Sequence, residues 1–65
     1  MPEGFYREVT VELKSLGFAY WKSAKGSHEK WRSQETGVIL IVPHGLKSRH
    51  TANAILRDAG SSKRI

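Results

Sequence analysis

The longest apolar run of this chain, Val38-Ile39-Leu40-Ile41-Val42, stops at Pro43. Such a run, closed by a residue with no amide hydrogen to give a ladder, predicts a strand that runs through the middle of a sheet or lies beneath helices. A bilayer crossing needs about 20 apolar residues, so the run spans no membrane. The chain is 65 residues long, which makes one domain; at this size only about 60% of the unfolded surface is buried, and the core must be a single compact cluster. There is no cysteine, hence no disulfide staple and no thiolate zinc site, which argues against a small secreted scaffold and fits a reducing compartment. The amino terminus carries no apolar stretch of the secretory kind. A soluble, cytoplasmic protein is the expectation.

Two helices flank the strand-forming centre. Tyr6, Val9, Leu13 and Leu16 recur at steps of three and four, the spacing of one helical face, and Gly17 follows as a left-handed cap, so a helix is expected from about Phe5 to Leu16. The β-branched Val9-Thr10-Val11 costs a few tenths of a kcal/mol per residue, less than an amphipathic face gains by packing. Ala52, Ile55, Leu56 and Ala59 repeat the helical spacing, with Ser48 as N-cap and Gly60 at the C-cap. Between them, the aromatic-rich Phe18 to Ala24 enters a turn at Lys25-Gly26-Ser27, His28 to Gln34 returns, and Glu35-Thr36-Gly37 turns again into the apolar run. The predicted order is α-β-β-β-α, an α+β fold whose three-stranded antiparallel sheet has both helices on one face. Ser61 to Ile65 is a short polar tail without a pattern, expected to fray. The chain holds no internal repeat, low-complexity segment or linker.

Lys and Arg number eleven against six Asp and Glu, a net charge of +5. The excess falls in Lys22 to Arg32 and Lys47 to Arg57, with Lys63 and Arg64 behind. Clustered cations attract a polyanion, most often nucleic acid through its phosphates; solubility alone is the plainer explanation, and the positions of the charges must decide between them.

The stretch "SAKGSHEKW" sets His28 after a Gly-Ser turn among lysines. An imidazole titrates near about 6.5, so it can take a proton from a ribose 2′-hydroxyl or return one to a leaving oxygen, as RNA cleavage requires. At the head of a strand its side chain is fixed by the sheet. A surface histidine after a turn is the alternative. Lys22, Lys25, Lys30 and Arg32 flank the turn, where cations can hold a scissile phosphate; a solvated polar face is again the alternative. Whether Lys22 shares a face with Lys30 and Arg32 depends on hairpin register, which the residues do not fix. Trp21 and Trp31 suit either base stacking or the core, although burying both fully would strain so small a core. His28, His44 and His50 stand 16 and 6 residues apart, a spacing that fits no compact metal motif. Ser27 beside His28 mimics a nucleophile and base, but adjacent strand residues point to opposite faces.

Taken in order, "LKSLGFAYWKSAKGSHEKWR", "VILIVPHG" and "TANAILRDAG" resemble the HicA-type toxins of bacterial toxin-antitoxin modules, small messenger-RNA-cleaving proteins with a double-stranded-RNA-binding-domain-like (dsRBD-like) fold. The likeness runs roughly from Arg7 to Gly60 and is most specific at Gly17-Phe18, Gly26-Ser27-His28, Val42-Pro43 and Ile55-Leu56 to Ala59-Gly60. It departs at His50-Thr51, where such proteins usually carry Gly-Thr, and the loop His44 to Lys47 varies among them, so no role is carried onto it.

The resemblance implies a single HicA-like domain over residues 1–60 with a tail at 61–65. It implies an endoribonuclease toxin acting on mRNA, with His28 as the catalytic residue, and a cognate HicB-type antitoxin covering it. Lys22, Lys25, Ser27, Lys30 and Arg32 are the expected RNA-binding residues. No cofactor and no metal is expected, and cleavage should be metal-independent. The competing reading is a non-catalytic module that holds double-stranded RNA by shape; such a module has no need of an imidazole at position 28.

Overall fold

A computed structural model describes residues 4–65. The order is α1 (Tyr6–Ser15), β1 (Phe18–Ser23), β2 (His28–Ser33), β3 (Ile39–Pro43) and α2 (Arg49–Asp58). The strands form one antiparallel sheet in the order β1-β2-β3, and the two helices pack together on one of its faces, the α+β arrangement expected from the periodicities.

Backbone chemistry sets the element ends. Gly17 and Gly60 follow the helices at φ 93° and 86°, where a Cβ would be strained. The Ser48 hydroxyl accepts from the Thr51 amide at 3.2 Å, satisfying one of the orphan donors of α2. His50-Thr51 therefore lies within a regular, capped first turn. At α1 no side chain caps the helix; the Phe5 amide instead donates to the Leu46 carbonyl at 2.7 Å, which ties the start of α1 to the loop before α2.

The core lies between sheet and helices: Val9 and Leu13 from α1, Phe18, Trp31, Leu40 and Val42 from the strands, Leu46 from the loop, and Ala52, Ile55 and Leu56 from α2. The apolar run does lie beneath the helices, but the strand in the middle of the sheet is β2, not β3. Only Leu40 and Val42 face the core. Ile39 and Ile41 are 44% and 45% exposed, because this two-layer fold covers one face of the sheet and leaves the other bare.

The tail is not frayed. Ser61 is buried and donates to Glu12 at 2.7 Å, the Lys63 ammonium stands 3.4 Å from the same carboxylate, and the Ile65 amide donates to Asn53 at 2.7 Å. Ile65 also packs on the core. The Ser61 hydroxyl, supported by Lys63, holds the Glu12 carboxyl below its ordinary range.

Candidate active site on the open sheet face

The β1–β2 turn carries Lys25, Gly26 and Ser27, with Gly26 at φ 69°. Three backbone bonds fix it. The Ala24 amide donates to the His28 carbonyl at 2.8 Å, the His28 amide reaches the Lys25 carbonyl at 3.4 Å, and the His44 amide donates to the Ser27 carbonyl at 2.8 Å. His28 also pairs with Pro43 across β2 and β3. The histidine thus starts the central strand with its backbone held from both neighbours, and its exposed side chain makes no hydrogen bond among the described residues.

Alternation along β2 sorts its residues. Glu29, Trp31 and Ser33 face the helices, and His28, Lys30 and Arg32 face the open side. A register shift between Tyr20 and Lys22 answers the question that parity left open: Lys22 pairs with Lys30 rather than with Glu29. Lys22, Lys30 and Arg32 therefore share a face with His28, while Lys25 and exposed Ser27 lie on the turn beside it. Like charges directly opposite on a sheet are destabilising. Among the described residues no carboxylate lies within ion-pair distance of Lys22, Lys25, Lys30 or Arg32, so the face is set to attract an anion.

The two tryptophans divide. Trp31 is 3% exposed in the core and Trp21 41% exposed on the open face. The Trp31 indole nitrogen donates to Glu29 at 3.0 Å, and the Tyr6 hydroxyl donates to the same carboxylate oxygen at 2.7 Å. Tyr6 in turn packs on His44 with ring centroids 4.8 Å apart. This set, which the residue pattern had not flagged, ties α1 to the strand residue next to His28. It bridges elements 23 positions apart, so no local spacing announces it. Burial first, and then donation to Glu29, push the Tyr6 phenol from 10.0 up to about 12. A raised phenol stabilises the fold fully below pH 10 and loses that contribution as pH rises through about 12. In urea titrations the wild-type midpoint should therefore fall more steeply across this alkaline window than that of Tyr6→Phe. Parallel curves would count against the Tyr6–Glu29 bond.

His44 is occupied against Tyr6, and His50 lies in the first turn of α2. Among the described residues no three His, Cys, Asp or Glu side chains converge as a metal site, and no helix is long and apolar enough to cross a membrane.

Among known protein families, the model of one described as "HicA toxin of bacterial toxin-antitoxin" matches residues 6–61. No curated protein and no solved structure matches the chain.

Proposed function

The chain belongs to the HicA toxin family of bacterial toxin-antitoxin modules, and on that premise we propose that it is an endoribonuclease toxin that cuts mRNA with His28 as its acid-base residue. One observation carries the reading. An unencumbered imidazole stands at the head of the central strand, on a bare face shared with Lys22, Lys30 and Arg32, and none of the three cations has a carboxylate partner among the described residues. That is the equipment of phosphodiester cleavage, a group that moves a proton and fixed cations that steady the charge gathering on phosphorus. Lys25 and Ser27, on the turn next to His28, are the further phosphate contacts.

Membership of a toxin-antitoxin family brings an antitoxin partner. We infer a HicB-type protein that covers His28 directly, because a basic catalytic face is silenced most simply by an acidic surface laid over it. Induction in bacteria without the antitoxin tests the whole reading. Wild type should arrest growth, His28→Ala should not, and co-expressed antitoxin should restore growth while shielding His28 and Lys30 from solvent in the complex. Equal arrest by wild type and His28→Ala would refute catalysis by His28. An inactive complex that leaves His28 accessible would refute direct masking.

A further inference from the structure

The strand irregularity at Tyr20 to Lys22 deserves its own explanation, because a bulge breaks the ladder and leaves a residue unpaired. Strict alternation would send Trp21 and Lys22 to opposite faces. Here both serve the open one: the Lys22 ammonium lies 4.4 Å from the Trp21 ring centre, the Arg32 guanidinium 5.3 Å and the Lys30 ammonium 6.0 Å. Three cations thus gather around one exposed indole, at the cost of the Lys22–Lys30 repulsion. Beside it opens a cleft of about 290 Å³ lined by Ala19, Tyr20, Trp21, Arg32 and Gln34. Drug-sized ligands occupy pockets of about 300–1,000 Å³, so this cleft suits a smaller, flat group.

We propose that this cleft is a nucleobase subsite: one unpaired base of single-stranded RNA stacks on Trp21, and Lys22 and Lys30 bind the phosphates that flank it. The inference deepens the ribonuclease reading and draws its purpose from it, since a base anchored on the face that carries His28 fixes which phosphodiester linkage the imidazole meets. The chemistry favours a single strand over a duplex. In a duplex each base is stacked on both sides, and such helices are gripped through sugar and phosphate across the minor groove. An indole on an open sheet takes bases that have been splayed out, and a stacked base with a cation beside each phosphate is how single strands are held. Ala19 adds little bulk to the cleft lining, and the Gln34 side-chain amide, which also lines the cleft and makes no hydrogen bond among the described residues, has both a donor and an acceptor to offer a base edge. Lys22, which lies over the indole in the free protein, has a four-carbon stem on which its ammonium can swing to a phosphate as the base enters.

Binding by fluorescence anisotropy tests this in a His28→Ala background, so that the RNA survives the titration. The probes are a short single-stranded RNA, an oligomer of equal length whose sugars carry no bases, and duplex RNA. Adding Trp21→Ala should weaken single-stranded RNA by between about 5-fold and about 150-fold, the range that stacking one base confers. Trp21→Phe, which keeps a ring, should recover most of that loss, and the base-free oligomer and the duplex should bind as before. Lys22→Ala should weaken the single strand and the base-free oligomer alike, with a shallower salt dependence. Unchanged single-strand affinity in Trp21→Ala would overturn the proposal, as would an equal loss on the base-free oligomer. So would a Trp21→Ala protein that keeps its RNA affinity but no longer retains its antitoxin, which would give the platform to the protein partner. The two readings fail separately. If His28→Ala still arrests growth while Trp21 is needed for single strands, catalysis by His28 falls and the subsite stands; a silent Trp21 with a harmless His28→Ala gives the reverse.

Discussion

An RNA oligonucleotide with a single 2′-deoxy substitution at its cut site is expected to survive incubation with this protein, while the all-ribose strand is cut equally well with and without EDTA. The expectation follows from the side chains on the open face. They include one imidazole, able to move a proton, and several cations, able to hold a phosphate. RNA itself carries a nucleophile beside every phosphate, the 2′-hydroxyl, and the expectation assigns the attack to it. On the proposed reading His28 would take the proton of the 2′-hydroxyl, the 2′-oxygen would form its bond to phosphorus as the bond to the 5′-oxygen breaks, and the departing oxygen would recover a proton from the imidazolium or from water. The expected products are a 2′,3′-cyclic phosphate and a 5′-hydroxyl end. Lys30, or Lys25 from the turn, would steady the charge on the phosphorane. A positioned acid or base contributes about 10²- to 10⁴-fold, so slow cutting is expected of a single imidazole acting alone. Removal of the 2′-hydroxyl removes the nucleophile altogether, so the expected effect is loss of cutting at that linkage, with the cyclic phosphate absent by mass spectrometry. Undiminished cutting of the deoxy strand, or activity lost in EDTA and restored by magnesium, would overturn the mechanism and leave the toxin assignment untouched.

The outline of the fold was legible because both helices show apolar residues at steps of three and four and a glycine just past the end, and the second adds a capping residue at Ser48. Strand order was not. Val38 to Val42 has the composition of a strand buried on both faces, yet in a sheet covered by helices on one side only, alternate residues must face outward. Ile39 and Ile41 do so next to Arg32 and Lys30. The tail misled for a different reason. Ser61, Lys63 and Ile65 are held by Glu12 and Asn53 through single polar contacts across long sequence separations, and such contacts leave no periodic trace.

The candidate site was legible in its residues but not in its geometry. His28 could be singled out because a Gly-Ser turn and a following strand fix where it sits, and because the surrounding segments resemble one family. Parity alone would have set Lys22 opposite Glu29 on the helix side. The register shift reverses that and turns Lys22 to the open face, which alternation already gives to Trp21, and bulges have no reliable signature in a single sequence. Nor did composition separate the two tryptophans. Their fates differ because Trp31 lies opposite Leu40 on the covered face of the central strand, whereas Trp21 falls at the break in the edge strand.

That difference sets the largest expected effect on stability. Trp31→Ala should leave the chain mostly unfolded, while Trp21→Ala should melt close to wild type. Trp31 fills the middle of the core between Phe18, Leu40 and the helices, and Tyr20 meets its edge with ring centroids 6.3 Å apart. Truncating a buried Trp or Phe to Ala costs about 3–5 kcal/mol. A domain of this length is held by roughly 3–10 kcal/mol in all, at about 0.05–0.15 kcal/mol per residue, so the cavity alone removes a large share. The loss does not stop at volume, since Glu29 would keep only the bond from Tyr6 on a carboxylate that now receives two. Trp31→Phe divides these effects by retaining a ring and deleting the indole N–H, and should fall between wild type and Trp31→Ala. At the exposed Trp21 only cation–π contacts are lost, about 0.5–1 kcal/mol, which Lys22, Lys30 and Arg32 partly recover through hydration. Urea denaturation followed by circular dichroism measures all three variants. Because His28, Lys30 and Arg32 project from the same strand that Trp31 holds down, Trp31→Ala should also abolish growth arrest, whereas a Trp31→Ala protein with a wild-type midpoint would mean that the central strand is anchored by something other than its buried indole.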